Sequence, residues 1–231
     1  MTVKRRGPAA ALGLLLAACC ALATVLVYRV FVGTELGQAV DQALLQRAAM
    51  APVVVEQASE AVLSLFTVPV VLAVGAVPAV LALLRRSPWH AGGALVLVVG
   101  ANATTQLLKS YVFERPDLLA LGAPNSLPSG HTTVVASVFL GLALIAPPAL
   151  RVPAAVVGTA ASLVVGIATV VAGWHRLSDV AAAVLVAAAW AGIVLAAVVL
   201  RPRRSHAMLA ASPTVVGAAP AARRTRATVH R

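Results

Sequence analysis

Long runs of apolar residues, almost free of charge, dominate this sequence of 231 residues. A helix needs about 20 apolar residues to cross the hydrocarbon core of a bilayer, and six such runs can be laid along the chain. Hydrophobic residues make up 61% of the chain and charged residues 11%, which excludes a sizeable water-soluble domain. We therefore expect an all-α, polytopic membrane protein with six transmembrane helices in a bundle. The predicted spans are residues 8–32, 61–84, 90–108, 132–150, 152–173 and 180–200.

The predicted organisation has four parts. Residues 1–33 form a first transmembrane helix behind a basic cytoplasmic N-terminus, and residues 34–58 form an extracytoplasmic amphipathic connection, either helix or loop. Residues 59–200 form a core of five transmembrane helices. Residues 201–231 contain no acid and form a disordered basic cytoplasmic tail resting on anionic lipid. Cys19 follows Leu-Ala-Ala as in a bacterial lipoprotein signal, but the apolar run continues past Cys20 and favours a retained helix.

The distribution of charge predicts the orientation of these spans. With the N-terminus in the cytoplasm, the cytoplasmic flanks collect thirteen Lys and Arg residues and no acid, while all seven acids lie on the outer side. The net charge of +11 is thus a topological signal, and nucleic acid is not expected as a partner.

In this orientation, three polar clusters emerge together on the outer face. The first cluster lies at the end of the third span, the second lies at the start of the fourth, and the third connects the fifth span to the sixth. One shared site becomes possible. The clusters run from Asn102 to Lys109 and on to Asp117, from Asn125 to His131, and from Trp174 to Asp179.

The second cluster has the pattern of a helix N-terminus that can bind an anion. Pro128 interrupts the preceding chain, Ser129 can cap the new helix, and Gly130 lets a bound group approach the backbone. Free N–H groups and the helix dipole favour phosphate at such a terminus, beside His131. A plain helix cap with an interfacial histidine is the alternative.

The other clusters supply an oriented imidazole and cations. His175 and Asp179 are four residues apart, so on a helix the carboxylate can hold one ring nitrogen and leave the other free to attack. A simple surface contact is the alternative for this pair. Lys109 and Arg115 can stabilise the charge of a transferring phosphoryl group, with interfacial snorkelling as their alternative.

Together these motifs resemble the type 2 phosphatidic acid phosphatase family, the integral-membrane lipid phosphate phosphatases. The strongest match is Pro128-Ser129-Gly130-His131, preceded by a Lys-to-Arg-Pro motif and followed by a His with an Asp four residues later. The resemblance covers roughly residues 60 to 200. It implies metal-independent phosphoester hydrolysis in two steps, without a cofactor, on a six-helix membrane fold.

The resemblance also implies roles for individual residues. His175 matches the nucleophile that forms a phosphohistidine intermediate, Asp179 its orienting carboxylate, and His131 the acid that protonates the leaving oxygen. The residues that match phosphate-binding groups are Lys109, Arg115, Ser129 and Gly130. The implied substrate is a membrane lipid, either a lipid phosphate or an isoprenoid diphosphate, hydrolysed at the extracytoplasmic face. The residues do not choose among these substrates or indicate an oligomeric state.

Two departures from the family pattern bear on activity. Five residues separate Lys109 from Arg115, one fewer than usual, which can displace one cation. The family also has Ser-Arg ending six residues before the nucleophilic His, where this chain has Ala168 and Thr169. Loss of that cation weakens charge stabilisation. Arg176 is the nearest substitute, but on a helix it lies about 100° from His175. A weak or inactive homologue that binds lipid phosphate is therefore the alternative to an active phosphatase.

Two other functional classes fit parts of this pattern. His131, His175 and Asp179 could form a two-His, one-carboxylate metal site, but Lys109 and Arg115 nearby favour an anion over a divalent cation. A small transporter has a similar outline, yet transporters place ionisable groups near the middle of the bilayer. Here the span centres are Ala, Val, Leu and Gly, and the ionisable residues lie at the span ends.

Overall fold

The structure, a computed structural model, describes residues 6–201, and this part of the chain is helical, without a β-strand. Its eight α-helices are α1 (Arg6–Val27), α2 (Glu35–Ala48), α3 (Val53–Ser64), α4 (Val68–Leu84), α5 (Pro88–Leu107), α6 (Gly130–Ile145), α7 (Pro148–Val171) and α8 (Leu177–Leu200). One π-helical turn, Tyr28–Val32, extends α1, and another, Leu108–Val112, extends α5. The predicted all-α membrane bundle is confirmed. The predicted tail lies outside the described residues.

The predicted count of six membrane spans is not confirmed. Within residues 6–201, four helices are long and apolar enough to cross a bilayer: Arg6–Val32, Pro88–Val112, Pro148–Val171 and Leu177–Leu200. A fifth span is counted if α3 and α4, which meet at a bend of 71°, are taken together. The remaining apolar helix, α6, is shorter than a full span, because Pro147 keeps Ala146 extended and the helix ends at Ile145, five residues before the predicted boundary.

The predicted span 61–84 is interrupted between two helices. Helix α3 ends at Ser64, and α4 begins at Val68 with Pro69 in its first turn. Proline lacks an N–H donor and restricts the residue before it, so it fits the start of a helix but interrupts a continuing one. The break places Phe66 between the two helices.

Small residues let the first and last helices pack closely. A Cβ added to Gly13 of α1 would lie 2.8 Å from the carbonyl oxygen of Gly192 on α8, and the converse distance is 2.5 Å. Close approach of this kind gives membrane helices their van der Waals contact.

Polar side chains of the third predicted span mostly join helices. Asn102 donates to Ser137 Oγ on α6 at 3.2 Å, and the hydroxyls of Thr105 and Thr133 lie 3.0 Å apart. Trp190 Nε1 on α8 donates to Thr104 Oγ1 at 3.0 Å. These bonds fix α6 and α8 against α5.

The antiparallel order of the helices gives the bundle two distinct ends. One end, which we call the histidine end, holds the last turns of α5 and α7 and the first turns of α6 and α8. The opposite end, which we call the basic end, holds residues 85–90, 145–151 and 201. There Arg6 Nη1 donates to the carbonyl of Arg201, and Arg85 Nη1 to that of Ile145.

Candidate active site

The loop between α7 and α8 holds His175 against Asp179. Gly173 has φ +75°, and the N–H groups of Trp174 and His175 both donate to the carbonyl of Thr169. His175 Nδ1 then lies 3.2 Å from Asp179 Oδ2. The pair is not on one helix face, as the spacing suggested, because α8 begins only at Leu177. Asp179, in the first turn, reaches back to a histidine in the preceding loop.

Asp179 is fully buried and held by several donors. Its Oδ2 accepts hydrogen bonds from Ser126 Oγ at 2.6 Å and from the backbone N–H of Arg176 at 2.9 Å, in addition to its contact with His175. With the carboxylate fixed, Nδ1 of His175 is held as a donor and Nε2 is left available to a substrate.

His131 faces His175 from the start of α6. Ser129 caps this helix, its Oγ accepting from the N–H of Thr132 at 3.5 Å, while its own N–H donates to the carbonyl of Asp179. The ring centroids of His131 and His175 are 6.4 Å apart. Phe66 lies edge-on to His131 with ring centroids 5.4 Å apart, and the ring of Trp174 is tilted against His131 at 5.5 Å. The two imidazoles therefore meet at one end of the bundle beside aromatic rings.

A cavity of about 710 Å³ opens at these histidines and continues between α4, α5 and α6. Its polar end is lined by Lys109, Gly130, His131 and His175. Toward the middle of the bundle its lining becomes apolar, with residues such as Leu72, Val98 and Val99. The cavity thus joins a cationic, imidazole-lined end to a hydrocarbon-like groove.

Asn125 fixes the loop between α5 and α6. Its Nδ2 donates to the carbonyls of Lys109 and Phe113, at 3.0 and 2.8 Å. The ring of Phe113 stacks on Tyr28 at 4.2 Å, and Gln38 donates to the carbonyl of Pro116 at 2.7 Å. The first turns after α1 therefore set the position of this loop.

Arg115 lies apart from the residues that line the histidine cavity. Its side chain, 3% exposed, borders a small cleft shared with Arg176, and Nη2 is 4.0 Å from Asp41 Oδ2. Burial, and then the neighbouring Arg176 guanidinium, lower the pKa of Arg115. Arg176 takes the extended, non-helical conformation needed to turn away from α8, with φ −95° and ψ 166°. Its Nη1 donates to Ser126 Oγ at 3.4 Å.

Three residues of this region had no role assigned from the sequence: Asp41, Ser126 and Ser178. Asp41 on α2 is fully buried, and both the N–H and the hydroxyl of Ser178 donate to its carboxylate. Burial raises the pKa of Asp41, although these bonds and Arg115 act in the opposite sense. An acid between apolar residues was a weak signal for Asp41, and no spacing rule points to its partner 137 positions away.

The predicted site residues thus fall into two groups. His131, His175, Lys109 and Gly130 line one cavity, and Asp179 contacts His175 from behind. Ser129 is buried as the helix cap, and Arg115 borders the separate cleft. Within residues 6–201, no group of three or more His, Cys, Asp or Glu side chains is arranged to hold a metal ion.

Comparisons with known proteins identify the family and the fold. The family model of the PAP2 superfamily matches residues 90–203, about half of the chain. No curated protein matches the sequence. The fold is similar to the crystal structure of a transmembrane PAP2 type phosphatidylglycerolphosphate phosphatase from Bacillus subtilis, with a TM-score of 0.61 and 19% sequence identity over 79% of this chain and 93% of that one. The chain is a multi-pass membrane protein that belongs to the PAP2 superfamily, and this membership supports a phosphatase function.

Proposed function

We propose that this protein is a membrane phosphatase that hydrolyses a lipid phosphate or isoprenoid diphosphate through a phosphohistidine intermediate, without a metal or other cofactor. The observation that carries the proposal is the shape of the cavity, which joins two facing imidazoles and Lys109 to an apolar groove. A phosphate head needs the first part and a hydrocarbon tail the second. A water-soluble substrate without a hydrocarbon tail would leave the apolar groove unoccupied.

In the first step, Nε2 of His175 attacks phosphorus. The new N–P bond forms as the bond between phosphorus and the leaving oxygen breaks, and protonated His131 gives its proton to that oxygen. Attack begins from about 3–3.5 Å and proton transfer from about 2.6–3.2 Å. Both imidazoles line the same cavity, with ring centroids 6.4 Å apart, so a phosphoryl group bound in that cavity can contact each ring. Asp179 stabilises the imidazolium formed on His175.

In the second step, water attacks the phosphohistidine. His131, now neutral, takes the proton of that water, the N–P bond breaks, and inorganic phosphate leaves. The released lipid is an alcohol when the substrate is a monoester and a lipid monophosphate when it is a diphosphate. His131 acts as acid and then as base, so it returns to its starting state.

Lys109 and the first turn of α6 supply the positive charge for the transferred group. Lys109 and Gly130 both line the cavity, and the N-terminus of α6 presents free N–H groups. This is fewer cations than the family pattern supplies, because Thr169 replaces an arginine and Arg115 borders the neighbouring cleft. That observation favours one second candidate, a weak or inactive homologue that binds a lipid phosphate without releasing phosphate.

The charge distribution of the sequence supports an extracytoplasmic active site. The histidine end lies with the seven acids, and the basic end with the cytoplasmic cations. In this orientation the substrate head enters from the outer water layer while the tail stays in lipid.

The test is phosphate release by the purified full-length protein from a panel of lipid phosphates and isoprenoid diphosphates in detergent micelles. We expect turnover that survives a strong chelator and falls at least about a thousandfold in His175→Ala. His206→Ala removes a histidine from the segment after α8 and serves as the matched control, with turnover near wild type. No release from any substrate by the wild type would leave the inactive homologue as the function. Loss of activity with the chelator would indicate a metal hydrolase.

A further inference from the structure

The basic end carries a second cavity, far along the bundle from the histidines. It has a volume of about 240 Å³ and lies between the α4–α5 turn and the α6–α7 turn. Its polar lining consists of Arg85, Ser87, His90 and Arg151. None of these residues contributes to the histidine cavity, and the proposed phosphatase reaction does not use them.

Positive charge converges on this cavity from several sources. Arg85 Nη1 donates to the carbonyl of Ile145 at 3.0 Å, and Arg151 Nε to that of Ala146 at 3.1 Å. Among the hydrogen bonds of the described residues, each guanidinium uses a single nitrogen, so its other donors are available to a ligand. Helices α5 and α7 both begin here, and their free N–H groups add the positive ends of two dipoles.

No acid offsets these cations at the basic end. Arg6, Arg86 and Arg201 lie at the same end, and all seven acids of the chain lie between residues 35 and 60, between 114 and 117, or at position 179. Within residues 6–201, no ion pair neutralises Arg85 or Arg151. An anion from outside is the complementary partner.

The surroundings of the cavity indicate that this anion belongs to a lipid. Ala82, Leu144 and Ile145 form its apolar wall. Beside it, Leu84 is 75% exposed and Val152 71% exposed, as expected for a surface that contacts hydrocarbon chains. Trp89 is next to His90 and half-exposed, with Arg201 5.4 Å from its ring, the placement of an aromatic residue at the headgroup level.

We propose that this cavity is a binding site for the phosphate headgroup of an anionic membrane lipid, held by Arg85 and Arg151 with Ser87 and His90 as further polar contacts. Basic cavities between transmembrane helices on the cytoplasmic side bind anionic headgroups in this way. The orientation predicted from charge places the basic end in that leaflet. The bound lipid ties the α4–α5 turn to the α6–α7 turn.

The test measures lipid binding to the detergent-purified full-length protein by native mass spectrometry. Dioleoyl phosphatidylglycerol is the probe, because its phosphodiester carries one negative charge and is not a phosphomonoester. We expect saturable binding that weakens about tenfold or more in the double variant Arg85→Gln/Arg151→Gln. A matched double variant, Arg47→Gln/Arg86→Gln, loses the same charge outside the cavity and should bind within about twofold of wild type.

Further measurements distinguish binding of a lipid headgroup from binding of a free anion, and a second variant controls for misfolding. Dioleoyl phosphatidylcholine should bind equally weakly to all variants, and millimolar inorganic phosphate should not displace phosphatidylglycerol. Displacement by phosphate, or an equal loss in the matched double variant, would overturn the proposal. If the glutamine double variant does not fold, Arg85→Lys/Arg151→Lys keeps the charge but removes the planar fork, and it should still weaken binding severalfold. Unchanged binding in the lysine variant would also overturn it.

Discussion

At the level of single residues, two carboxylates contact the first turn of α8 and have different roles. Asp179 accepts from the N–H of Arg176 and orients His175. Asp41, from α2, accepts from both the N–H and the hydroxyl of Ser178, so it caps the same helix from another element. Because residues 178 and 179 are adjacent, Asp41 holds the segment that in turn holds the imidazole.

The first prediction concerns the pH dependence of stability that Asp41 confers. Burial raises its pKa in the folded protein, so the folded chain keeps this proton at pH values where the unfolded chain has released it. The contribution of Asp41 to stability is therefore greatest below its unfolded pKa of about 4 and declines as pH rises through the folded pKa. In Asp41→Asn, which does not titrate, thermal unfolding followed from pH 4 upward should show a deficit relative to wild type that shrinks with pH.

The control for this experiment is Glu60→Gln, which removes one exposed acid from α3. It reports the general effect of losing an acid over the same pH series, and the Asp41→Asn data are compared with it. A deficit that stays constant or grows with pH would show that Asp41 does not carry a raised pKa in the folded protein.

At the level of helices, the sequence predicted those helix ends that depend on neighbouring residues in the chain. The start of α6 follows from Pro128, Ser129 and Gly130, and the end of α8 lies at the predicted residue 200. The break between Ser64 and Val68 was missed because prolines inside apolar runs are also tolerated as kinks. The short spacing between Lys109 and Arg115 indicated that one cation can be displaced, but the position of Arg115 depends on bonds such as Gln38 to Pro116, which join residues 78 positions apart.

The close crossing of α1 and α8 gives a second prediction. In Gly192→Ala, the new Cβ would lie 2.5 Å from the carbonyl oxygen of Gly13, so the two helices must move apart. We expect a loss of about 1–3 kcal/mol, measured as a lower unfolding temperature in detergent. The matched control is Gly92→Ala on α5, whose added Cβ meets nothing within 4 Å. Alanine there should be neutral or stabilise by up to about 1 kcal/mol. Equal effects of the two substitutions would contradict a tight α1–α8 crossing.

At the level of the complete bundle, the alternating direction of the helices places the polar clusters at one end and arginines such as Arg85 and Arg151 at the other. The three polar clusters identified in the sequence lie at the histidine end, because they belong to the end of α5 and the α5–α6 loop, the start of α6, and the α7–α8 loop with the first turn of α8. Sequence order alone could therefore predict which residues share an end. It could not predict that the cavity at that end continues as an apolar groove, since the groove is formed by α4, α5 and α6 together.

This groove gives the last prediction, which separates binding of the lipid tail from the chemistry of the head. Val99 and Val96 lie on α5 three residues apart and are similarly exposed, at 56% and 50%, but only Val99 lines the cavity. Val99→Trp fills part of the groove, so KM for a long-chain lipid phosphate should rise about tenfold. Turnover of a short-chain, water-soluble phosphate ester should change little, because the histidines remain in place. Val96→Trp adds the same bulk outside the groove and should leave both substrates unaffected. Equal behaviour of the two variants toward the long-chain lipid would mean that the tail does not occupy the space between α4 and α5.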